Sequence, residues 1–185
     1  MKTARVHFLI LLLAVLLTGP RAVAAGPEAG LQDFHVTLGM FHSPKGIGGC
    51  VRFGGLKSLS VYADMEEVYA GRALYPGLRI SYLHPLALAE KTARDGNVFT
   101  FYAGPGLTGG YVRDKGEWYG FMAGISVGAG VSASLQKRFV LSLEFESVAA
   151  LLLSKNTLLD TWGMRMFRNG YRQTFYPQLK IEYRF

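Results

Sequence analysis

Apolar and charged residues alternate strictly between positions 179 and 185. In order, they are Leu179, Lys180, Ile181, Glu182, Tyr183, Arg184 and Phe185. Because successive side chains of a β-strand point to opposite faces, this period of two predicts a strand with one apolar and one ionic face. A helix would instead distribute the same charges around its whole circumference.

The longest alternating segment runs from Tyr119 to Leu135. Its odd positions are all apolar, whereas its even positions are glycine, serine and one methionine. A strand of this length exceeds the usual range of about 3–10 residues in globular proteins. The polar segment 136–138 follows, and a second alternating segment begins at Phe139. This order predicts a hairpin of two long antiparallel strands.

Alternation elsewhere in the chain extends this pattern to eight predicted strands. They cover 33–42, 47–54, 57–68, 77–84, 97–111, 118–134, 138–152 and 174–185. Segment 47–54 is short and rich in glycine, and the even strand number of bacterial barrels supports its inclusion. An even count places both termini at one end of a barrel, together with a long turn at 85–96. The longest loop, 153–173, then lies at the opposite end.

Alternation is compatible with two kinds of barrel. A soluble barrel encloses its apolar face, whereas an outer-membrane barrel turns that face to lipid and encloses the polar one. Eight strands leave an interior just wide enough for side chains. The many Phe, Leu and Tyr side chains of the apolar face look too bulky for that space, while Gly and Ser fit it. The pattern therefore favours a membrane barrel, with a soluble periplasmic β-protein as the alternative.

Aromatic residues gather near the ends of the predicted strands. They are Tyr69, Tyr75, Tyr82, Tyr111, Trp118, Tyr119, Tyr171, Phe175, Tyr176 and Tyr183. Membrane barrels carry aromatic girdles at both membrane–water interfaces, so this distribution also favours a membrane barrel.

The first 25 residues have the pattern of a secretory signal peptide. Lys2 and Arg5 precede an apolar run, and Ala22-Val23-Ala24 has the small residues of a cleavage site. The run has about 12 residues, whereas a membrane-spanning helix needs about 20. We therefore predict that residues 1–25 are removed and that residues 26–185 form the barrel domain.

Charge and cysteine content exclude several functions. The chain has a formal net charge of +7, and removal of the predicted signal peptide with its three basic residues leaves about +4. That charge is too small and too scattered to indicate nucleic-acid binding. Cys50 is the single cysteine, which excludes an internal disulfide and a cysteine-based zinc site.

The final alternating segment, with Phe185 last and Tyr183 two residues before it, resembles the C-terminal sorting signal of outer-membrane β-barrel proteins. Over nearly all of 26–185 the chain resembles the small OmpA/OmpX-like barrels. This resemblance implies an all-β, eight-stranded antiparallel up-and-down transmembrane barrel in the outer membrane of a Gram-negative bacterium. It also implies outer-membrane lipid and the barrel assembly machinery as partners, and we expect a monomer.

The polar faces of the predicted strands carry charges of both signs. We expect these residues to line the lumen as an ion-pair network. They are Arg52, Asp64, Glu66, Arg79, Glu144, Glu146, Lys180, Glu182 and Arg184. Since buried charges are unfavourable unless paired, the network is expected to close the lumen. The alternative is a narrow or gated pore.

A catalytic constellation is not evident in the sequence. Outer-membrane deacylases need a nucleophilic serine with a histidine and an acid in reach. Ser81 and His84 lie close in sequence, but their odd spacing on a strand makes them face opposite sides. Met40 and His42 share a strand face, which indicates a strand end more than a copper site. We therefore expect no enzymatic activity, cofactor or metal, with a lipid-modifying enzyme as the alternative.

The long segment 153–173 contains a possible amphipathic helix. Leu158, Leu159, Trp162 and Met166 are spaced like one helix face, and three arginines accompany them: Arg165, Arg168 and Arg172. Such a helix could lie on the membrane surface or pack as a loop on the barrel rim. The sequence thus predicts a structural or surface-interaction role, with an unknown surface ligand.

Overall fold

The computed structural model describes residues 36–71, 74–94, 96–113, 119–135, 138–156, 161–167 and 175–185. These ranges contain ten β-strands and one short helix. The strands are β1 (Thr37–Ser43), β2 (Gly46–Phe53), β3 (Lys57–Asp64), β4 (Gly77–Leu83), β5 (Leu86–Thr92), β6 (Val98–Arg113), β7 (Tyr119–Leu135), β8 (Phe139–Asn156), β9 (Thr161–Met166) and β10 (Phe175–Arg184). Helix α1 is Glu66–Tyr69. The predicted signal peptide lies outside the described residues. Helical segments with the length and hydropathy needed to span a bilayer do not occur among the described residues.

Eight of the strands form a closed antiparallel up-and-down barrel. Neighbours follow the order β1, β2, β3, β4, β6, β7, β8 and β10, and β10 pairs with both β8 and β1. The predicted eight-stranded all-β fold is confirmed, and the short segment 47–54 is strand β2. We call the end where β1 begins and β10 ends the proximal end, and the opposite one the distal end.

Strand β5 continues β4 along the same edge of β6. β4 pairs with Gly106–Tyr111 and β5 pairs with Val98–Ala103. Pairing is interrupted at His84 and Pro85, resumes in the same register at Leu86 and Ala87, and shifts by one residue between Ala87 and Ala89. The resulting β5–β6 hairpin extends past the proximal end, and every residue of β5 is exposed. The prediction of a long turn at 85–96 was therefore wrong. The first residues of β6 offer backbone groups with which this segment pairs.

The break between β4 and β5 lies directly over a glycine of β6. A Cβ atom on Gly104 would stand 2.3 Å from the carbonyl oxygen of His84 and 2.5 Å from the Cα atom of Pro85. The backbone N–H of His84 donates a hydrogen bond of 2.8 Å to the carbonyl of Pro105. Gly104 thus permits the close approach that carries the chain from β4 into β5.

Strand β9 extends the distal end in a similar way. It pairs with Leu151–Asn156 of β8, on the edge that β10 occupies lower down. The helix predicted around Trp162 and Met166 was therefore wrong for 161–166. Trp162, Met164 and Met166 alternate with smaller or polar residues, Gly163 disfavours a helix, and β8 supplies a strand partner. Leu158, Leu159, Arg168 and Arg172 lie outside the described residues.

The register around the barrel fixes its width. From Ser142 of β8 the paired residues are, in turn, Lys180, Phe41, Gly48, Tyr62, Arg79, Gly110, Met122 and finally Leu152, again on β8. The path that leaves β8 at Ser142 therefore passes once around the barrel and meets β8 again at Leu152, ten residues further along. With strands about 4.8 Å apart and a rise of about 3.3 Å per residue, this stagger tilts the strands by about 40° and gives a radius of about 8 Å.

The two faces of the barrel wall differ in polarity. Strand β8 illustrates this, because its inward residues include Ser142, Glu144 and Glu146, all buried, while its outward residues include Leu141 and Leu143, both exposed. The same division holds on β10, β1 and β3. The polar face is therefore enclosed, and the apolar face forms the outside of the barrel.

Candidate functional site in the barrel interior

The inward faces of the strands that close the barrel carry basic and acidic side chains in equal numbers. On the eight strands that close the barrel, the inward charged residues of the described ranges are the basic Arg52, Arg79, Lys180 and Arg184 and the acidic Asp64, Glu144, Glu146 and Glu182. Their formal charges cancel. Six of these residues form three ion pairs at successive heights of the interior.

The pair nearest the proximal end joins β2 to β10. Arg52 Nη2 lies 2.6 Å from Glu182 Oε1, and both side chains are almost entirely buried. Thr37 of β1, the strand between them, donates a hydrogen bond of 2.7 Å to the other oxygen of Glu182. Arg52 also donates to Ser142 Oγ, at 3.3 Å. The Glu182 carboxylate therefore has a partner at each oxygen, as a buried charge requires.

The middle pair joins the neighbouring strands β10 and β8. Lys180 Nζ lies 2.7 Å from Glu144 Oε1. The hydroxyl of Tyr102 donates a hydrogen bond of 2.9 Å to Glu144 Oε2, from β6 on the other side of β7. Tyr102 reaches Glu144 over Gly130, where a Cβ atom would stand 2.8 Å from the tyrosine hydroxyl. The absence of a side chain at Gly130 thus opens the path for this hydrogen bond.

The third pair lies closest to the distal end and crosses the interior. Arg79 Nη1 of β4 lies 2.9 Å from Glu146 Oε2 of β8. The guanidinium carbon of Arg79 also lies 4.0 Å from the centroid of the Tyr176 ring and 5.1 Å from that of Tyr62. Gln178 donates to the same Glu146 oxygen at 3.3 Å. Two aromatic faces and one carboxylate therefore hold the Arg79 guanidinium, an arrangement that combines cation–π attraction with an ion pair.

Apolar side chains fill the interior on the distal side of Arg79. They belong to one buried cluster and include Val112, Met122, Val148, Ala150, Leu152 and Phe167. Phe167 follows β9, and its backbone N–H donates to the carbonyl of Ala150 at 2.8 Å. The interior therefore contains paired charges in its proximal two thirds and apolar packing above them.

Comparison with known proteins adds no relative. No family model, no curated protein and no solved structure matches this chain. Among the described residues, no group of three or more His, Cys, Asp or Glu is placed to hold a metal ion. Ser81 is buried and donates to Thr108 Oγ1 at 3.0 Å, whereas His84 is exposed and contacts the Tyr82 hydroxyl through Nδ1 at 3.1 Å. Ser81 and His84 thus do not meet.

Three of the nine charged residues expected in the network lie apart from these pairs. Asp64 is half-buried at the distal end of β3, where it accepts a hydrogen bond of 3.1 Å from the backbone N–H of Glu66. Glu66 begins α1, so the predicted strand 57–68 was wrong beyond Asp64. Arg184 is half-buried at the proximal end of β10. Tyr183 and Phe185, expected to form a sorting signal, lie on the outside with their ring centroids 5.1 Å apart.

The sequence did not indicate the aromatic residues of the interior. Tyr176 was expected in a membrane-interface girdle, but the structure buries it, with 1% of its surface exposed, against Arg79. That expectation was wrong because Tyr176 occupies an even position of β10, the parity it shares with Gln178 and Lys180. The even position of Tyr176 was therefore the signal in the sequence that could have identified this residue as inward. The contact of Tyr102 with Glu144 had no such signal, since it depends on the register of three strands.

Proposed function

We propose that this protein is a membrane-embedded β-barrel of the small outer-membrane type, with a structural or surface-interaction role and without catalytic activity or conductance. One observation carries the proposal: the apolar face of the closed barrel is its outside, and the charged face is its inside. A protein in water would expose large apolar surface by this arrangement, whereas in a bilayer the same surface contacts hydrocarbon.

The outward positions of the wall support a hydrocarbon environment. On every described strand except β5, the outward residues include only three Asp, Glu, Lys or Arg side chains, namely Lys57, Arg113 and Lys155. Each of them lies within two residues of a strand end. Between these ends the outside is apolar and well exposed, as at Met40 (72%) and Ile125 (61%).

Aromatic clusters at both ends of the wall support the same environment. At the proximal end, the ring of Tyr183 lies 5.3 Å from that of Phe139. At the distal end, the ring of Tyr111 lies 5.5 Å from Tyr119 and 5.1 Å from Phe121. Phe121 pairs with Leu153, which is 14 residues from Phe139 along β8. At the tilt given above, Leu153 lies about 35 Å and Phe121 about 32 Å from Phe139 along the barrel axis, enough to place the two clusters on either side of an apolar band of about 25 Å.

The interior supports a closed barrel more than a pore. The inward charges of its eight wall strands cancel, its three ion pairs occupy successive heights, and packed apolar residues such as Met122 and Leu152 lie distal to them. A permeating ion would have to separate these pairs or displace the apolar packing. We therefore propose that the charges brace the wall from inside.

Cold electrophoresis and membrane fractionation test the proposal. A detergent-resistant barrel runs faster in SDS before heating than after, so we expect a heat-dependent shift and recovery of the protein in the membrane pellet after alkaline washing. Recovery in the soluble fraction without a shift would contradict the proposal and favour a soluble β-protein.

Two further measurements address the absence of conductance and catalysis. In planar bilayers the purified protein is expected to give no steady openings, and large steady openings would instead establish the pore alternative. Overproduction is expected to leave the mass of lipid A unchanged. A defined mass shift would favour a lipid-modifying enzyme.

A further inference from the structure

Two successive rows of outward side chains meet at the distal end of β6, β7, β8 and β9. The first, which we call the apolar row, consists of Tyr111, Phe121, Leu153 and Met164, each paired with the next across the strands. The second, which we call the basic row, lies two residues further out and consists of Arg113, Tyr119, Lys155 and Trp162. Arg113 pairs with Tyr119, and Lys155 pairs with Trp162. The β7–β8 register, in which Gly120 pairs with Ser154, brings Lys155 beside Tyr119.

We propose that the basic row binds the phosphate of an anionic lipid headgroup, with Arg113 and Lys155 as its ligands. This inference rests on the proposed function, because it requires the apolar row to lie in the bilayer. It adds a binding site and a chemical class of ligand to that function.

The distribution of charge on the outside favours an anionic ligand. Among the described residues of the eight wall strands, all three charged side chains that point outward are basic, and two of them lie in this single row. The Cα atoms of Arg113 and Lys155 are separated by two strand spacings, or about 10 Å. Long arginine and lysine side chains can converge over that distance on one phosphate, to which arginine donates two parallel hydrogen bonds.

The aromatic members of the row place it near the headgroup level, although the strand tilt raises Trp162 by about 6 Å above Tyr119. The ring of Tyr119 stacks on that of Tyr111 with a centroid distance of 5.5 Å, and its hydroxyl donates to the carbonyl oxygen of Tyr75. Trp162, with 59% of its surface exposed, ends the row on β9. Tyr and Trp side chains prefer the level of the lipid headgroups. The phosphate of a lipid whose acyl chains contact the apolar row would lie at this level.

A lipid fits this surface better than an acidic protein does. The apolar row, with Phe121 and Met164 exposed, continues directly into the basic row without a polar step. A ligand that contacts both rows must therefore be anionic at one end and apolar below it. An acidic protein would leave the apolar row uncovered.

Lipid retention measured by native mass spectrometry tests the site. The detergent-solubilised full chain is titrated with phosphatidylglycerol or with phosphatidylcholine of the same acyl chains. We expect the protein to retain the anionic lipid in preference, by about five-fold for each basic residue. The R113Q/K155Q variant should lose the preference, and K155Q alone should lose about five-fold of it. The matched control K57Q removes the outward lysine of the proximal end and should keep the preference.

The outcomes separate this inference from the proposed function. Every variant is first checked for the heat-dependent gel shift, whose absence in the unmodified protein would contradict the proposed function itself. A shift with equal retention of both lipids, or with preference unchanged in R113Q/K155Q, would overturn the lipid site alone. Loss of the preference in sodium phosphate, but not in sodium chloride of equal ionic strength, would indicate a site for free phosphate and also overturn it.

Discussion

Arg79 of β4 and Glu146 of β8 form an ion pair of 2.9 Å across the barrel interior, although two strands, β6 and β7, separate them in the sheet. The pair therefore connects parts of the wall that share no backbone hydrogen bonds. Because Tyr62 and Tyr176 flank the guanidinium, the side chain of Arg79 is held at three points.

Removing one member of this pair should be far more damaging than removing both. R79M leaves the Glu146 carboxylate buried without its cation, so we expect the free energy of unfolding to fall by about 3–5 kcal/mol. R79M/E146M leaves no unpaired charge, and its loss should be smaller than the sum of the two single variants. Urea titration of the reconstituted protein, followed by tryptophan fluorescence, provides the measurement. If the double variant lost as much stability as the two single variants together, the interaction between Arg79 and Glu146 would contribute nothing to stability.

The hydrogen bond from Tyr102 to Glu144 should contribute measurably to stability. Y102F removes a donor from a buried carboxylate, and we expect a loss of about 1.5–3 kcal/mol. The control Y111F removes a hydroxyl from an exposed tyrosine on the outside and should change stability by less than about 0.5 kcal/mol. Equal effects of the two substitutions in the same urea titration would argue against the interior role of Tyr102.

The outside of the barrel should tolerate a charge differently at different heights. Ile125 lies in the middle of β7, and I125K should destabilise the vesicle-reconstituted barrel by about 2–4 kcal/mol, as lysine does near the bilayer midplane. Leu86 is similarly exposed (63%) but lies on β5 at the proximal end, so L86K should cost at most about 1 kcal/mol. If I125K were as mild as L86K in vesicles, a hydrocarbon environment for β7 would be contradicted.

The junction of β4 and β5 should depend on the glycine beneath it. G104A introduces a Cβ atom 2.3 Å from the carbonyl oxygen of His84. We therefore expect β5 to lose its pairing with β6 while the barrel remains folded. Faster amide exchange in 86–92, with unchanged exchange in β8, would be the signature. The control G109A places its Cβ atom 3.4 Å from the carbonyl oxygen of Met122 and should leave exchange in 86–92 unaltered. Unchanged exchange in G104A would show that the close approach is not required.

Most of the wall could be predicted from alternation because parity alone decides which face a strand residue occupies. Glu144, Glu146, Lys180 and Glu182 are inward for that reason, and so is Tyr176, whose parity outweighs its aromatic character. Pairing could not be predicted. Whether Glu182 meets Arg52 or Arg79 depends on the stagger of ten residues around the barrel. This stagger arises when the sheet closes and cannot be read from the sequence of one strand.

Strand extensions were likewise beyond prediction from local pattern. Segments 86–92 and 161–166 were not predicted as strands, and each pairs with the part of a longer strand, β6 or β8, that extends beyond its other neighbour. Trp162 and Met166 are also compatible with a helix face. Backbone pairing with β8 decides that this segment is a strand and not a helix.

The wall of this barrel has a tall side and a short side. Strands β6, β7 and β8 have 16, 17 and 18 residues, whereas β1 to β4 have only seven or eight. At a tilt of about 40° the short strands rise only about 20 Å, less than the usual apolar band of about 25 Å. A bilayer around such a barrel would have to thin beside β1 to β4 while it keeps its full depth beside β6 to β8. The barrel would then deform the bilayer asymmetrically, with the thinned lipid confined to the side of β1 to β4.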